Sequence, residues 1–411
     1  MRSTARCGIR CARISSSTRA SRPPPAPSSP RRADRVSGPS APLTVSRKTY
    51  LDWLRGVAVI VMVGAHVIDA WTRTGDRSRT LYLYTVFVAG LAAPLFLFLA
   101  GLTIAMSASS RAAKVGHREA AAMARRRGLQ IFGLAFLFRL QSQVLGWGAW
   151  SNFLKVDILN IMGLAMLAAA IVWGVSERRL ARIVLFAMAT TAVAMTTPLI
   201  REAGVLAILP DAIEAYIRPL PGRTNFALFP WMGFVFCGAI AGELVHAART
   251  ESQERRLQTG LLLAGLGGIV AAYAASFRPS IYPVANFWTS SPTFFFIRIG
   301  ICTALLPIAR AIDAFHAWAR RAFSGLFAEP DVPGRVVTTL GRSSLFVYWI
   351  HVEMAYGGLA RPLKRALPLE LSLLATVALC ALLYRIVRWK DRKMQHVQLS
   401  GPWRIFAPVL K

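Results

Sequence analysis

Acidic side chains are scarce in this chain: 19 Asp and Glu stand against 49 Lys and Arg. The net charge of +30 invites a nucleic-acid reading. The basic residues, however, fall in short blocks between apolar runs and not on one soluble basic domain, which excludes it. Cysteine is sparse too. Cys7, Cys11, Cys237, Cys302 and Cys380 show no paired spacing of metal or redox type, so no metal is expected. Three of them lie inside apolar runs, where a thiol packs as a small hydrophobe. Soluble-enzyme signatures are missing: there is no P-loop, GxSxG, HExxH or dinucleotide glycine fingerprint. The short alternating segments of a spanning β-barrel are missing as well.

Apolar runs dominate what is there. Hydrophobic residues make up 55% of the chain, and the mean hydropathy is +0.45. Runs of roughly 20 apolar residues recur along nearly the whole length, the mark of an all-α polytopic transmembrane bundle. Ten spans are expected, at 50–71, 83–106, 128–147, 154–174, 180–200, 225–246, 257–276, 292–311, 338–358 and 366–388. No repeat period is visible, so residues 47–395 are read as one transmembrane domain, followed by a cytoplasmic tail at 396–411.

Residues 1–46 differ from the rest. They are rich in Arg, Ser and Pro ("SRPPPAPSSPRRADR") and are expected to be disordered, since they cannot bury a core. Their composition is that of a transit peptide, but the proline cluster spoils an amphipathic helix. A cytoplasmic tail, or translated sequence upstream of the true start, is the expectation. With both termini in the cytoplasm, the inner segments hold 33 Lys and Arg against 11 outside, which fits the positive-inside rule.

Topology assigns depth to the polar groups. In "YLDWLRGVAVIVMVGAHVIDAW", Asp52 and Arg55 share a helix face near the inner end. His66 follows Arg55 by eleven residues, three turns plus about 20°, and so lies on that face about 16 Å further out. Asp69 is close enough to the outer surface to be simply solvated. Other polar groups share the outer half: Arg139 in the third span, Asp157 and Asn160 opening the fourth, Arg298 in the eighth, and Tyr348, His351 and Glu353 in the ninth. Ionisable groups within spans must pair or line a cavity, and mark functional sites by default. Elsewhere, Pro94 is expected to open the second span. Gly101, Gly233, Gly238 and Gly242 are expected to allow close helix approach.

The first-span stretch resembles the first catalytic-domain helix of heparan-α-glucosaminide N-acetyltransferase and its bacterial relatives. "AAPLFLFLAGLTIAM", "VDILNIMGLAM", "FPWMGFVFCGAIAG", "SPTFFFIRIG" and "GRSSLFVYWIHVEMAYG" follow in the order of that family, over about residues 47–390. The resemblance does not extend to the luminal domain of the animal enzyme, so a lysosomal heparan substrate is not implied. The wider superfamily, including acyltransferase-3 proteins, shares the "LDxLRG" start. Some bacterial relatives are proposed transporters, and His66 favours the acyltransferase side.

The resemblance implies a multi-pass acyltransferase of the cell (inner) membrane. Its co-substrate would be acetyl-CoA or another acyl-CoA, approaching from the cytoplasm. Its acceptor would be an amine or hydroxyl of a glycan or sugar-like molecule at the outer face. The donor phosphates would meet Arg55 with Asp52 beside it, and Arg125, Arg126 or Arg127. His66 would take the acyl group itself or act as general base, with Asp157 or His351 orienting it. Arg139, Asn160, Arg298, Tyr348 and Glu353 would contact the acceptor. Expected partners are the lipid bilayer, the donor and the acceptor, without nucleic acid; a homodimer is left open. The competing expectation is a multi-pass transporter or permease of a small solute, which would use mid-depth polar groups equally well.

Overall fold

The computed structural model describes residues 48–146, 153–322 and 332–394. Both expected tails, 1–46 and 396–411, lie outside the described residues. The described chain is helical, and its β-structure is limited to two isolated bridges, Thr72 with Leu367 and Val156 with Thr224.

Seven stretches are long and apolar enough to cross a membrane, so the chain is a multi-pass membrane protein. The first is α1 (Thr49–Trp71). The second is broken into α2 (Thr80–Ala89) and α3 (Ala92–Val115). Pro94 explains the break: it has no N–H for the Gly90 carbonyl, and its ring collides with that carbonyl in a continuous helix. The helix therefore stops at Gly90 and restarts with Pro94 in its first turn, where proline is tolerated. Next come α4 (His117–Gly146), α5 (Ile158–Gly174) and α6 (Arg179–Glu202). A short α7 (Asp211–Ile217) precedes α8 (Leu228–Ala247), α9 (Glu251–Ser276) and α10 (Pro292–Ala322). The chain then forms α11 (Val332–Arg342), α12 (Ser344–Tyr356) and α13 (Leu369–Met394).

Three of the ten expected spans do not stand among the seven. The helix covering the third, α4, begins eleven residues earlier than expected and carries Arg125, Arg126 and Arg127, which lower its hydropathy. The fourth, α5, has only 17 residues. The ninth is divided at Ser343 into α11 and α12.

Helix α1 is central, packing against α3, α10, α11, α12 and α13. Helix α9 is mostly uncovered, with Leu263 and Val270 pointing outward, as do Leu374 and Val377 of α13. Such faces suit hydrocarbon. Backbone-to-backbone contacts set the inner frame. A Cβ on Gly56 would lie 1.9 Å from the Val337 carbonyl oxygen, and one on Gly341 would lie 1.9 Å from that of Asp52. Only glycine lets α1 and α11 approach this closely. Gly101 against Val235 and Gly238 against Phe98 do the same for α3 and α8.

Two polar clusters lock the ends of the bundle. At the end of the bundle where α1 starts, termed the inner end, Glu243 of α8 is fully buried. It accepts hydrogen bonds from Arg182 at 2.8 Å, Ser109 at 2.7 Å and the Trp173 indole at 2.7 Å, which ties together α3, α5, α6 and α8. At the outer end, Asp76 accepts from the Arg73 guanidinium at 3.1 Å and from the Leu369 N–H at 3.0 Å. These two donors hold its carboxyl below the usual carboxylate range. The loop after α1 is thereby fastened to the start of α13.

Candidate functional site

A cavity of about 950 Å³ runs between α1, α3, α4, α5 and α12. Its two ends differ in chemistry. Near the inner end it is lined by Arg55, Arg111, Arg127 and Arg342. Asp52, 3% exposed, stands behind this wall and not on it. Its carboxylate pairs with Arg55 at 3.3 Å and with Arg342 at 3.5 Å, so one buried acid positions two guanidinium groups. Arg127 and Arg111 have no carboxylate partner among the described residues. Of the basic run at 125–127, only Arg127 reaches the cavity, and Arg125 and Arg126 are exposed elsewhere. Successive helix positions are rotated by about 100°, so three in a row cannot share a face. The middle of the cavity is apolar, walled by Phe96, Ile104, Ile131, Met162 and Met166.

The outer end carries His66, Arg139, Lys155, Asp157, Tyr348 and Tyr356. Asp157 caps α5: one carboxylate oxygen accepts from the Ile158 N–H at 2.8 Å. The other meets Arg139 at 3.1 Å and accepts from the Tyr348 hydroxyl at 3.4 Å. The extended backbone before α5, held by the Val156–Thr224 bridge, buries Val156 and turns its neighbours Lys155 and Asp157 to the cavity, the period-two pattern of a strand. Lys155 has no acidic partner among the described residues.

The His66 Nδ1 atom lies 3.2 Å from the Tyr356 hydroxyl, which in turn donates to Asp69 at 2.8 Å. The His351 ring is 5.1 Å from that of His66, centroid to centroid. His351 is fully buried behind the cavity wall, and its Nδ1 donates to the Val347 carbonyl at 2.9 Å. Its Nε2 has no hydrogen-bond partner among the described residues.

The other expected acceptor contacts lie elsewhere. Asn160, 2% exposed, completes the α5 capping box: its carbonyl accepts from the Asp157 N–H at 3.2 Å, and its amide donates to the Tyr216 hydroxyl at 3.3 Å. Arg298 stacks over the Phe294 ring at 4.0 Å beside Gly90, outside the cavity lining. Glu353 is also outside it. Sequence reasoning passed over Arg111, Arg342, Lys155 and Tyr356. The extended segment before α5 offered a local signal for Lys155. The others depend on contacts between distant helices.

The geometry, a basic inner end and an imidazole at the outer end of one cavity, is compatible with group transfer along its length. Comparison with curated proteins found no match. A family model described as heparan-alpha-glucosaminide N-acetyltransferase, catalytic, matches residues 47–269, just over half of the chain, including α1 with Asp52, Arg55 and His66 and the Asp157 cap. The chain therefore belongs to the heparan-alpha-glucosaminide N-acetyltransferase catalytic-domain family of multi-pass membrane proteins.

Proposed function

We propose that the protein moves an acyl group from cytoplasmic acyl-CoA to an amine or hydroxyl of a sugar-like acceptor at the outer face of the cell's inner membrane. The observation that carries this reading is the polarity of this cavity, with four guanidinium groups at one end and His66 at the other. Guanidinium binds phosphate in fork geometry, which suits the nucleotide end of CoA. The pantetheine arm would lie along the apolar middle and bring the thioester to His66. The acceptor would enter beside Lys155, Asp157 and Tyr348. As its heteroatom attacks the thioester carbonyl, the His66 Nε2 takes its proton. The carbon–sulfur bond then breaks, and the departing thiolate receives that proton from the imidazolium. Neither CoA nor acceptor crosses the membrane; only the acyl group changes sides.

Binding of acetyl-CoA to the purified protein tests this reading. Saturable binding is expected. Arg127→Ala should weaken it about 10- to 100-fold, as loss of a charged hydrogen bond of about 1.5–3 kcal/mol implies. Arg125→Ala, exposed and outside the cavity, should leave it unchanged. No saturable binding across several acyl-CoAs would refute the proposal and favour a solute carrier.

A further inference from the structure

Asp69 looked like a solvated surface residue, and Tyr356 ends α12 without an evident task. Their hydrogen bonds nevertheless converge on His66. The Tyr356 hydroxyl is 2.8 Å from an Asp69 carboxylate oxygen. A carboxylate only accepts, so the hydroxyl proton points to Asp69. The hydroxyl has no second proton. Its 3.2 Å contact with His66 must then run the other way, with Nδ1–H donating to the tyrosine oxygen. A neutral imidazole that carries its proton on Nδ1 has its lone pair on Nε2.

The surroundings reinforce this choice. The His351 Nδ1–H is committed to the Val347 carbonyl and its Nε2 has no hydrogen-bond partner among the described residues, so His351 neither donates to nor accepts from His66, and the Tyr356 contact alone sets the tautomer. In the opposite tautomer, the His66 Nδ1 lone pair would face an oxygen whose proton is already committed. The register of the chain is also fixed: the buried Trp71 indole donates to the Ala355 carbonyl at 2.9 Å, which fastens the end of α1 to the residue before Tyr356. Arg77 holds Asp69 from outside, pairing with its carboxylate at 3.7 Å and donating to its main-chain oxygen.

We propose that Tyr356 and Asp69 are positioning residues that hold His66 with its proton on Nδ1 and its Nε2 lone pair available for reaction. When Nε2 takes the acceptor proton, the imidazolium keeps its Nδ1 hydrogen bond, and the Asp69 charge offsets it through the tyrosine hydroxyl. The arrangement follows the logic of a Ser–His–Asp triad with a phenol between base and carboxylate. The kinetic part of the proposal rests on the acyl-transfer reading; the tautomer does not.

The test is nitrogen NMR of protein labelled with ¹⁵N-histidine, with the His66 ring assigned by its loss in His66→Gln. Wild type should show a protonated Nδ1 and an unprotonated Nε2. Tyr356→Phe should convert this to a mixture of tautomers, lower kcat for acyl transfer about 100-fold, and leave the KM for acetyl-CoA unchanged. Asp69→Asn, a change at an exposed site, should lower kcat in the same direction without affecting folding. A protonated Nε2 in wild type, or a Tyr356→Phe spectrum and kcat equal to wild type, would overturn the proposal. A wild-type Nδ1–H signature that Tyr356→Phe abolishes, in a protein that transfers no acyl group, would support the hydrogen-bonded chain and reject the acyl-transfer reading.

Discussion

His66→Ala is expected to lower kcat for acyl transfer by about 10²–10⁴, the range that a positioned general base contributes. The protein should still fold. His66 is only partly buried and faces the cavity, so its truncation enlarges an existing space and opens no new one in the core. Donor binding should persist, because Arg55, eleven helical residues before His66, lies about 16 Å away along α1 and the other inner guanidinium groups line the same end. His351→Ala is a useful contrast. That ring is fully buried, so the substitution should cost stability as well as activity. Transfer by His66→Ala at the wild-type rate would remove His66 from the chemistry.

Glu243→Ala is expected to destabilise the protein by about 3–5 kcal/mol, the cost of removing one partner from a buried ion pair. Three donors lose the carboxylate at once: the Arg182 guanidinium, the Ser109 hydroxyl and the Trp173 indole. Arg182 is itself only 6% exposed and would be left as a stranded buried charge. The measurement is thermal unfolding in detergent. Replacing both partners together, as Glu243→Leu with Arg182→Met, should recover much of the loss, because an apolar pair leaves no unpaired charge. A single variant that melts like wild type would show that the cluster does not hold the bundle. The cluster also bears on the site: Ser109 lies two residues before Arg111, so the same bonds steady the last turns of α3 at the inner end of the cavity.

The stripe of Asp52, Arg55 and His66 was legible because one straight helix carries it and the helical period alone relates its members. The structure keeps Arg55 and His66 at the cavity and withdraws Asp52 behind it, because the Gly56–Gly341 contact brings Arg342 to the same carboxylate. That contact joins residues nearly three hundred positions apart, and no local pattern announces it. Tyr356 was hidden for the same reason. The misplaced expectations have local causes. Adjacency in sequence groups Arg125 and Arg126 with Arg127, although helical rotation separates them. Asn160 stands three residues after Asp157, the spacing of a capping pair; the cap takes its carbonyl oxygen and Tyr216 takes its amide, so both of its side-chain polar groups are committed. Depth groups the polar residues of the outer half but does not fix their azimuth, and Arg298 and Glu353 lie outside the cavity lining.

In the proposed reaction the acyl group crosses the membrane while its carriers stay on their own sides. The most direct measurement uses proteoliposomes of defined orientation, with acetyl-labelled acetyl-CoA confined to the side of the Arg55–Arg342 end and an amino sugar on the other. Label is expected on the external sugar, with the CoA retained within, and both transfer and label movement should be lost in His66→Ala. Uptake of the unmodified sugar without acyl-CoA, with no acetylated product on either side, would contradict the proposed reaction.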